Sequence, residues 1–253
     1  MHIKKAILPL AIVMLLSNGC IRADAEKPKN PAVPITDVHL PQSTIAATPA
    51  PVPIPTPTST PDPGPVALRG FDKLMIVAHG DDELLWGGAH LIADHYYVVC
   101  ITGKSNLTRA KEFENSMRET GSAYIMFDYP DRKGGKINNW EEEKPQIAAD
   151  IKNIIDLKPW DLIVTHNPNG EYGHKQHKLV SEIVTGLAWD KNLYYFGIYY
   201  RNPSGTPRLD DALFIQKEKL LRTVYRSQYR PISNRWGQMF PYENWIRYED
   251  WAS

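Results

Sequence analysis

The segment KLMIVAHGDDELL, residues 73–85, decides the fold of this chain. Its first six residues, Lys73–Ala78, form an apolar run with the length and composition of a buried strand. The residues from Glu83 to Asp94 then have the pattern of a helix. A strand that passes directly into a helix is the first half of a βαβ unit, so the polar residues between the two elements lie at the carboxyl end of the strand.

The same alternation continues through the rest of the chain. Further strands are predicted at Tyr96–Thr102, Tyr124–Phe127, Leu162–Thr165 and Leu193–Tyr199. Further helices are predicted at Arg109–Thr120 (with Gly121 as C-cap), Pro145–Leu157 and His174–Leu187. Strands that alternate with helices of this length favour right-handed crossovers and a mostly parallel sheet. We therefore predict a three-layer α/β domain over residues 68–253.

The chain before this domain has a different composition. Lys4 and Lys5 precede a short apolar run, and small residues then lead to Cys20, which is the pattern of an export signal of the lipoprotein type over residues 1–20. Plain secretion and an uncleaved anchor remain alternatives. Residues 21–67 are rich in proline and predict a disordered, extended linker. We expect an exported bacterial protein, secreted or held at a membrane by a lipid on Cys20.

The overall composition narrows the class of partner. The 253 residues include 29 basic and 29 acidic side chains, so the formal net charge is zero. Phosphate backbones are bound by a basic excess, and we therefore expect no nucleic-acid partner. The only two cysteines, Cys20 and Cys100, do not make a disulfide framework.

Side chains that can bind metal follow two of the predicted strands. AHGDDE, residues 78–83, follows the first strand, and HNPNGEYGHKQH, residues 166–177, follows the fourth. The carboxyl ends of parallel strands meet at one edge of a sheet, so the two segments should lie together. A catalytic zinc ion typically takes three nitrogen or oxygen ligands and keeps a position for water. His79, Asp82 and His177 would supply such a set.

The spacing also leaves side chains beside this set for acid–base chemistry. Asp81 lies between two of the ligands and is free to take a proton from water. His174 and His177 are three residues apart at a helix start, so one can bind metal while the other faces the substrate. Taken alone, Asp81-Asp82-Glu83 at a helix start is more often a cap that complements the helix dipole. The histidines of the second segment favour the metal site.

The two segments resemble the motifs of the PIG-L/LmbE family of N-acetylglucosaminyl deacetylases. Typical members read A-H-P-D-D-E and then G-H-x-D-H, where this chain has AHGDDE at 78–83 and YGHKQH at 172–177. The similarity extends from about Asp72 to Val184, with Ser227-Gln228 nearer the end. The resemblance implies a Rossmann-like sheet and a divalent metal centre, with Zn²⁺ expected and Fe²⁺ or another divalent metal as the alternative.

The resemblance also assigns the central side chains of the site. His79, Asp82 and His177 match the metal ligands, and Asp81 matches the general base. His174 matches a residue that protonates the leaving amine or stabilises the oxyanion. These roles are carried over position by position from the two motifs.

Further positions are expected to contact the substrate or the oxyanion. Tyr172 matches a tyrosine that some family members use against the oxyanion. Arg109 and Glu112 match an Arg-x-x-Glu pattern whose arginine can reach the substrate. Asp131 follows the third predicted strand at the same sheet edge, and we expect it to contact a substrate hydroxyl.

Two positions depart from the family pattern. Gly80 replaces the usual proline, which removes no chemical group. Gln176 replaces the aspartate between the two histidines. If that aspartate orients His174, glutamine can still form a hydrogen bond but cannot stabilise an imidazolium by charge. We therefore expect a less basic His174 and an activity that is altered but not abolished.

Large aromatic side chains are concentrated near the end of the chain. Such residues usually pack a terminal extension onto a sheet, and the alternative is a platform that stacks on sugar rings. The residues are Trp236, Phe240, Tyr242, Trp245, Tyr248 and Trp251.

Together these patterns predict a hydrolase. We expect a Zn²⁺-dependent N-deacetylase that removes an acetyl (acyl) group from an amino-sugar-containing substrate, an N-acetylated sugar or glycan. One alternative is a catalytically silent glycan-binding lipoprotein. The other is an amidase that acts on a non-sugar amide.

Overall fold

A computed structural model of the chain describes residues 68–199 and 205–251, all of which lie within the compact unit Ser59–Ser253. The predicted signal segment 1–20, with Cys20, and the predicted linker 21–67 lie outside the described residues. In the part that is described, no helix has both the length and the apolar character that a membrane span requires.

Strands and helices alternate through most of the described chain. The strands are β1 (Lys73–Val77), β2 (Tyr96–Thr102), β3 (Ala123–Tyr129), β4 (Arg132–Lys133), β5 (Lys136–Ile137), β6 (Leu162–Thr165), β7 (Leu193–Phe196) and β8 (Trp245–Arg247). The helices are α1 (Asp82–Ala93), α2 (Leu107–Thr120), α3 (Lys144–Ile155), the single turn α4 (Gly170–Gly173), α5 (Lys175–Ala188), α6 (Asp211–Val224), α7 (Tyr229–Trp236) and α8 (Tyr248–Trp251).

Six strands form a central sheet in the order β3-β2-β1-β6-β7-β8, and β4 and β5 form a separate small hairpin. All neighbours in the central sheet are parallel except β7 and β8, which are antiparallel. The structure is thus a mixed α/β fold with a mostly parallel central sheet. The chain runs from β1 to β2 and β3 on one side and later to β6 and β7 on the other. This change of direction between β1 and β6 is the place where open parallel sheets bind ligands.

Apolar side chains along β1 alternate between the two faces of the sheet. Leu74 and Ile76 pack in one core with residues of α3 and α5, whereas Met75 and Val77 pack in a second core with residues of α1 and α2. All seven residues of β2 are buried. Burial on both faces explains why these strands are almost continuously apolar in sequence.

The predicted elements agree with the observed ones up to β7. Gly121 has the left-handed conformation expected of a C-cap (φ 67°). The fifth strand was predicted to reach Tyr199 but ends at Phe196, because its pairing with β6 extends only to Tyr195 and its pairing with β8 only to Phe196. The hairpin, the single turn α4, the helices α6, α7 and α8, and the antiparallel strand β8 were not predicted.

Helix α1 is kinked, and Glu243 of the C-terminal segment binds the backbone next to the kink. The helix loses helical geometry at Gly87 (φ −142°). The buried Glu243 carboxylate accepts hydrogen bonds from the backbone N–H of Ala89 (2.7 Å) and of His90 (3.3 Å), and Lys217 Nζ lies 2.7 Å from its Oε1 atom. The side chains of Glu243 and Lys217 are both fully buried. This ion pair therefore joins α1, α6 and the segment before β8.

Replacing Glu243 by glutamine is expected to lower the free energy of unfolding by about 3–5 kcal/mol, because the buried Lys217 ammonium loses its partner. Burial favours the neutral acid, but Lys217 and His90 hold the pKa of Glu243 at about 2, below the usual 4.5. The stabilisation is therefore present above about pH 4.5 and is lost as the pH falls through about 2. Urea denaturation of the wild type and of Glu243→Gln at several pH values measures this stabilisation.

The matched control is Glu249→Gln. Glu249 pairs with Arg247 at 3.0 Å, but both side chains are largely exposed. Exposed pairs contribute about 0–1 kcal/mol, so this variant should unfold almost like the wild type. Equal destabilisation by the two variants would contradict the importance of the buried pair.

Candidate metal centre

The turn between β1 and α1 places two of the predicted ligands side by side. His79 follows the last residues of β1, and Asp82 is the first residue of α1. The backbone N–H of His79 donates to Asp82 Oδ2 (3.0 Å), and the same oxygen lies 3.2 Å from His79 Nδ1. Asp82 is buried, so its carboxylate needs a positively charged neighbour or a cation.

The third predicted ligand comes from the neighbouring strand. His177, in the first turn of α5 after β6, has its Nε2 atom 3.3 Å from Asp82 Oδ2 and 3.3 Å from His79 Nδ1. Ligands bound about 2.0–2.2 Å from a tetrahedral zinc ion stand roughly 3.3–3.6 Å apart. The structure thus brings the three predicted ligand atoms to the separations that a shared ion requires, and these residues fit a divalent metal.

Two overlapping groups among the described residues also have the spacing of metal ligands. They are His79–His174–His177 and Asp82–His166–His177. His166 is unsuited to ligation, because its Nε2 atom accepts the N–H of Ala78 (2.9 Å) and its Nδ1 atom lies 2.9 Å from the carboxylate of Glu171. Both ring nitrogens are therefore engaged. His174 as a substrate-side residue and Asp82 as the third ligand both stay predictions.

The surrounding carboxylates favour positive charge at this position. Burial alone would lower the pKa of His79, but Asp131 and Asp82 outweigh it and raise the pKa to about 10. Burial likewise opposes the charge of His177, and Asp82 with Glu171 raises the pKa to about 9. A metal cation bound in place of these protons would be stabilised by the same carboxylates.

Asp81, the predicted general base, is held in a strained conformation beside the ligands. Its φ of 149° lies in the region that favours glycine, and its backbone N–H donates to Glu83 Oε2 (2.9 Å). Its Oδ2 atom lies 3.1 Å from Arg109, which also donates to the carbonyl of Gly80. Burial raises the pKa of Asp81 above its usual value, and the Arg109 guanidinium limits the rise.

Arg109 and Glu112 tie this loop to the C-terminal part of the chain. Arg109 was expected to reach the substrate, but its guanidinium contacts Asp81 and lies 3.8 Å from Glu112. Glu112 in turn accepts hydrogen bonds from the backbone and the hydroxyl of Ser227 (2.8 and 2.7 Å). In this structure Arg109 therefore orients Asp81, and a contact with substrate stays a prediction.

His174 and Tyr172 lie beside the ligand set and are less deeply buried than Asp82 and His177. The His174 ring centroid is 4.9 Å from that of His79 and 4.5 Å from that of His177. Its Nδ1 atom is buried without a hydrogen-bond partner in the described parts of the chain. Burial, together with the nearby His177 and His79, lowers the pKa of His174 to about 3. The imidazole is therefore neutral at physiological pH.

The Tyr172 ring forms one wall of the site. It is 38% exposed, and its centroid lies 5.4 Å from that of His177 and 4.5 Å from that of Trp236. Burial, then Asp82 and Asp81, raises the pKa of Tyr172, so the phenol keeps its proton and can donate a hydrogen bond. Among the C-terminal aromatic residues Trp236 packs against Tyr172, whereas Trp245 stacks on His90 at the α1 kink.

Gln176 contacts a different histidine from the one that the sequence indicated. Its Oε1 atom lies 2.8 Å from Nε2 of His79, and its amide donates to the carbonyl of Asp131 (3.0 Å). It therefore orients a predicted ligand rather than His174. The half-exposed carboxylate of Asp131 lies at the rim, 3.7 Å from His79 Nε2. A contact of Asp131 with a substrate hydroxyl stays a prediction.

Glu171 was assigned no role from the sequence. This buried residue lies inside the second motif, yet its carboxylate contacts both His166 and His177. The only sequence signal was an acidic residue among the histidines, and it has no regular spacing from them.

Comparison with known proteins adds independent observations. The model of the protein family PIG-L, described as GlcNAc-PI de-N-acetylase, matches residues 74–188. Uncharacterized protein L374 of Acanthamoeba polyphaga mimivirus is 34% identical over 182 residues, which are 65% of this chain and 75% of that protein.

The solved structures that share the fold include two deacetylase complexes. A deacetylase–bog complex in the biosynthesis pathway of teicoplanin superposes with a TM-score of 0.53 at 17% identity, covering 64% of this chain and 87% of that one. A deacetylase–teicoplanin complex in the same pathway superposes with a TM-score of 0.51 at 16% identity, covering 70% of this chain and 99% of that one. At these identities the similarity concerns the fold.

Proposed function

The chain belongs to the PIG-L family, and we propose that it is a metal-dependent N-deacetylase that acts on an amino-sugar-containing substrate. The observation that carries the proposal is the set of three atoms, His79 Nδ1, Asp82 Oδ2 and His177 Nε2, that lie 3.2–3.3 Å apart with Asp81 beside them. The family description supports the amino-sugar substrate.

These three atoms would hold the ion, and a divalent cation there lowers the pKa of water and polarises the substrate carbonyl. We propose Zn²⁺ as the resident metal, with Fe²⁺ or another divalent ion as the alternative, because imidazole and carboxylate ligands suit zinc.

Asp81 would accept the proton of the attacking water. Its burial supports this role, because a carboxylate with a raised pKa is a stronger base. Arg109 keeps the Asp81 carboxylate in one orientation through their 3.1 Å contact. The proton that Asp81 takes is then available for the departing amine.

His174 and Tyr172 would stabilise the oxyanion of the tetrahedral intermediate. Prediction from sequence left two roles open for His174, and its low pKa favours the neutral hydrogen-bond donor over the acid that protonates the amine. The Tyr172 phenol lies on the same side of the ligand set and can donate a second hydrogen bond.

The test is release of acetate by the zinc-loaded protein from N-acetylglucosamine, its short oligosaccharides, N-acetylated amino acids and, as a control, O-acetylated glucose. We expect release from the N-acetylated sugars. Release only from the amino-acid amides would favour an amidase of non-sugar substrates. Oligosaccharide binding without acetate release would favour a catalytically silent glycan-binding protein, and either result contradicts the proposal.

We also propose that the protein is exported and anchored through a lipid on Cys20, since Lys4, Lys5 and the apolar run after them have the pattern of an export signal. Cys20→Ser is expected to move the protein from the membrane fraction of a bacterial host to its soluble fractions and to abolish incorporation of labelled palmitate. Cys100→Ser is the control, because that thiol is buried. Unchanged labelling of Cys20→Ser would refute the anchor.

A further inference from the structure

Glu171 is a buried carboxylate between two histidines of the site. Its Oε2 atom lies 2.5 Å from His177 Nδ1 and 2.9 Å from His166 Nδ1, and its Oε1 atom accepts the backbone N–H of Asn167 (2.9 Å). The side chain is completely buried. Both oxygens are thus occupied by protein groups, so Glu171 does not face a substrate.

We propose that Glu171 is a positioning residue that fixes the tautomer and the ring orientation of His177 for metal binding. A hydrogen bond from Nδ1–H to Glu171 leaves the lone pair on Nε2, the atom that faces Asp82 Oδ2 and His79 Nδ1 at 3.3 Å. A carboxylate partner also makes an imidazole a stronger ligand. This inference rests on the metal centre of the proposed function, but not on deacetylation.

The contacts of His166 decide which of its two ring nitrogens carries the proton. Its Nε2 atom accepts the backbone N–H of Ala78 (2.9 Å), so its own proton must sit on Nδ1, which faces Glu171. The rings of His166 and His177 stack with centroids 3.9 Å apart. Through His166, Glu171 therefore connects Ala78, the residue before His79, with the ring of His177. It thereby fixes the positions of the two ligand-bearing segments relative to each other.

The backbone at Glu171 supports a positioning role. Its φ of 53° and ψ of −70° lie in a region that residues with a side chain rarely occupy. Such a conformation persists only where the surroundings over-determine it. Here the hydrogen bonds of the carboxylate provide that constraint.

The test compares the Zn²⁺ affinity of the wild type with that of Glu171→Gln, by competition with a chromogenic chelator. Glutamine is the same size, but it cannot accept from both histidines and from Asn167 at once, because one of its two polar atoms is a donor. We expect about 10- to 100-fold weaker Zn²⁺ binding and a changed absorption spectrum of the Co²⁺-loaded protein.

The matched control is Glu243→Gln, which makes the same change at a buried carboxylate that also contacts a histidine, at the kink of α1. It should destabilise the fold and leave the Zn²⁺ affinity of the folded protein unchanged. Equal Zn²⁺ affinity of the wild type and Glu171→Gln would overturn the inference. A difference in affinity without acetate release from any substrate would instead overturn the proposed function alone.

A measurement on the wild type keeps the inference testable if Glu171→Gln does not fold. In the Zn²⁺-loaded protein with ¹⁵N-labelled histidine, NMR should find the protons of both His166 and His177 on Nδ1, shifted downfield and slow to exchange because Glu171 accepts them. A proton on Nε2 of His177, or an Nδ1 proton of His177 that is unshifted and exchanges rapidly, would refute the role of Glu171. The shift and the exchange rate report the hydrogen bond itself, since Zn²⁺ on Nε2 would leave the proton on Nδ1 even without Glu171.

Discussion

The substitution Asp81→Asn is expected to lower the rate of acetate release by about 10²- to 10⁴-fold, the usual contribution of a positioned general base. The amide has nearly the shape of the carboxylate but cannot take the proton of water. Asp81 is not among the three ligand atoms, so the zinc content should remain that of the wild type. Initial rates, normalised to bound zinc measured on the same samples, give the answer.

Asp94→Asn provides the matched control. Asp94 lies just past the opposite end of α1, where it pairs with Lys73 at the surface. Exposed pairs have little influence, so this variant should release acetate at the wild-type rate. Equal rates for Asp81→Asn and the wild type, with equal zinc content, would remove Asp81 from its role as base.

Removal of the metal by a chelator is expected to lower acetate release by a factor on the order of 10³ or more, because Lewis-acid stabilisation is worth several kcal/mol. Dialysis against Zn²⁺ should restore the rate and raise the melting temperature, since an ion that binds only the folded state stabilises it. Rates and thermal melts of the apo and reloaded proteins measure both effects.

Asp82→Ala tests whether the ion acts at the predicted place. The change removes the carboxylate that faces both His79 Nδ1 and His177 Nε2. We expect the variant to be as inactive as the metal-free wild type and to gain nothing from added Zn²⁺. Rescue of Asp82→Ala by Zn²⁺ at the concentration that restores the wild type would place the ion elsewhere.

The amino-acid sequence was sufficient to predict the βαβ architecture and the meeting point of the two motifs. Apolar runs such as Tyr96–Thr102 are buried on both faces, so their pattern depends on local sequence and predicts a parallel sheet. Because parallel strands end at the same edge, the residues after β1 and β6 had to lie close together. The C-terminal part was not predictable in this way, since β8 is only three residues long and is defined by its pairing with β7.

The sequence by itself determined which residue types stand at the carboxyl ends of β1 and β6, and hence the candidate ligands His79, Asp82 and His177. Only the tertiary structure decided their partners: Gln176 on His79 rather than on His174, Glu171 on His177, and Arg109 on Asp81. The physical reason is that a hydrogen bond depends on the direction of each polar atom to within fractions of an ångström. That direction is set by rotamers and by packing between elements far apart in the chain, as in the pair His79 and Gln176, which is separated by 97 residues.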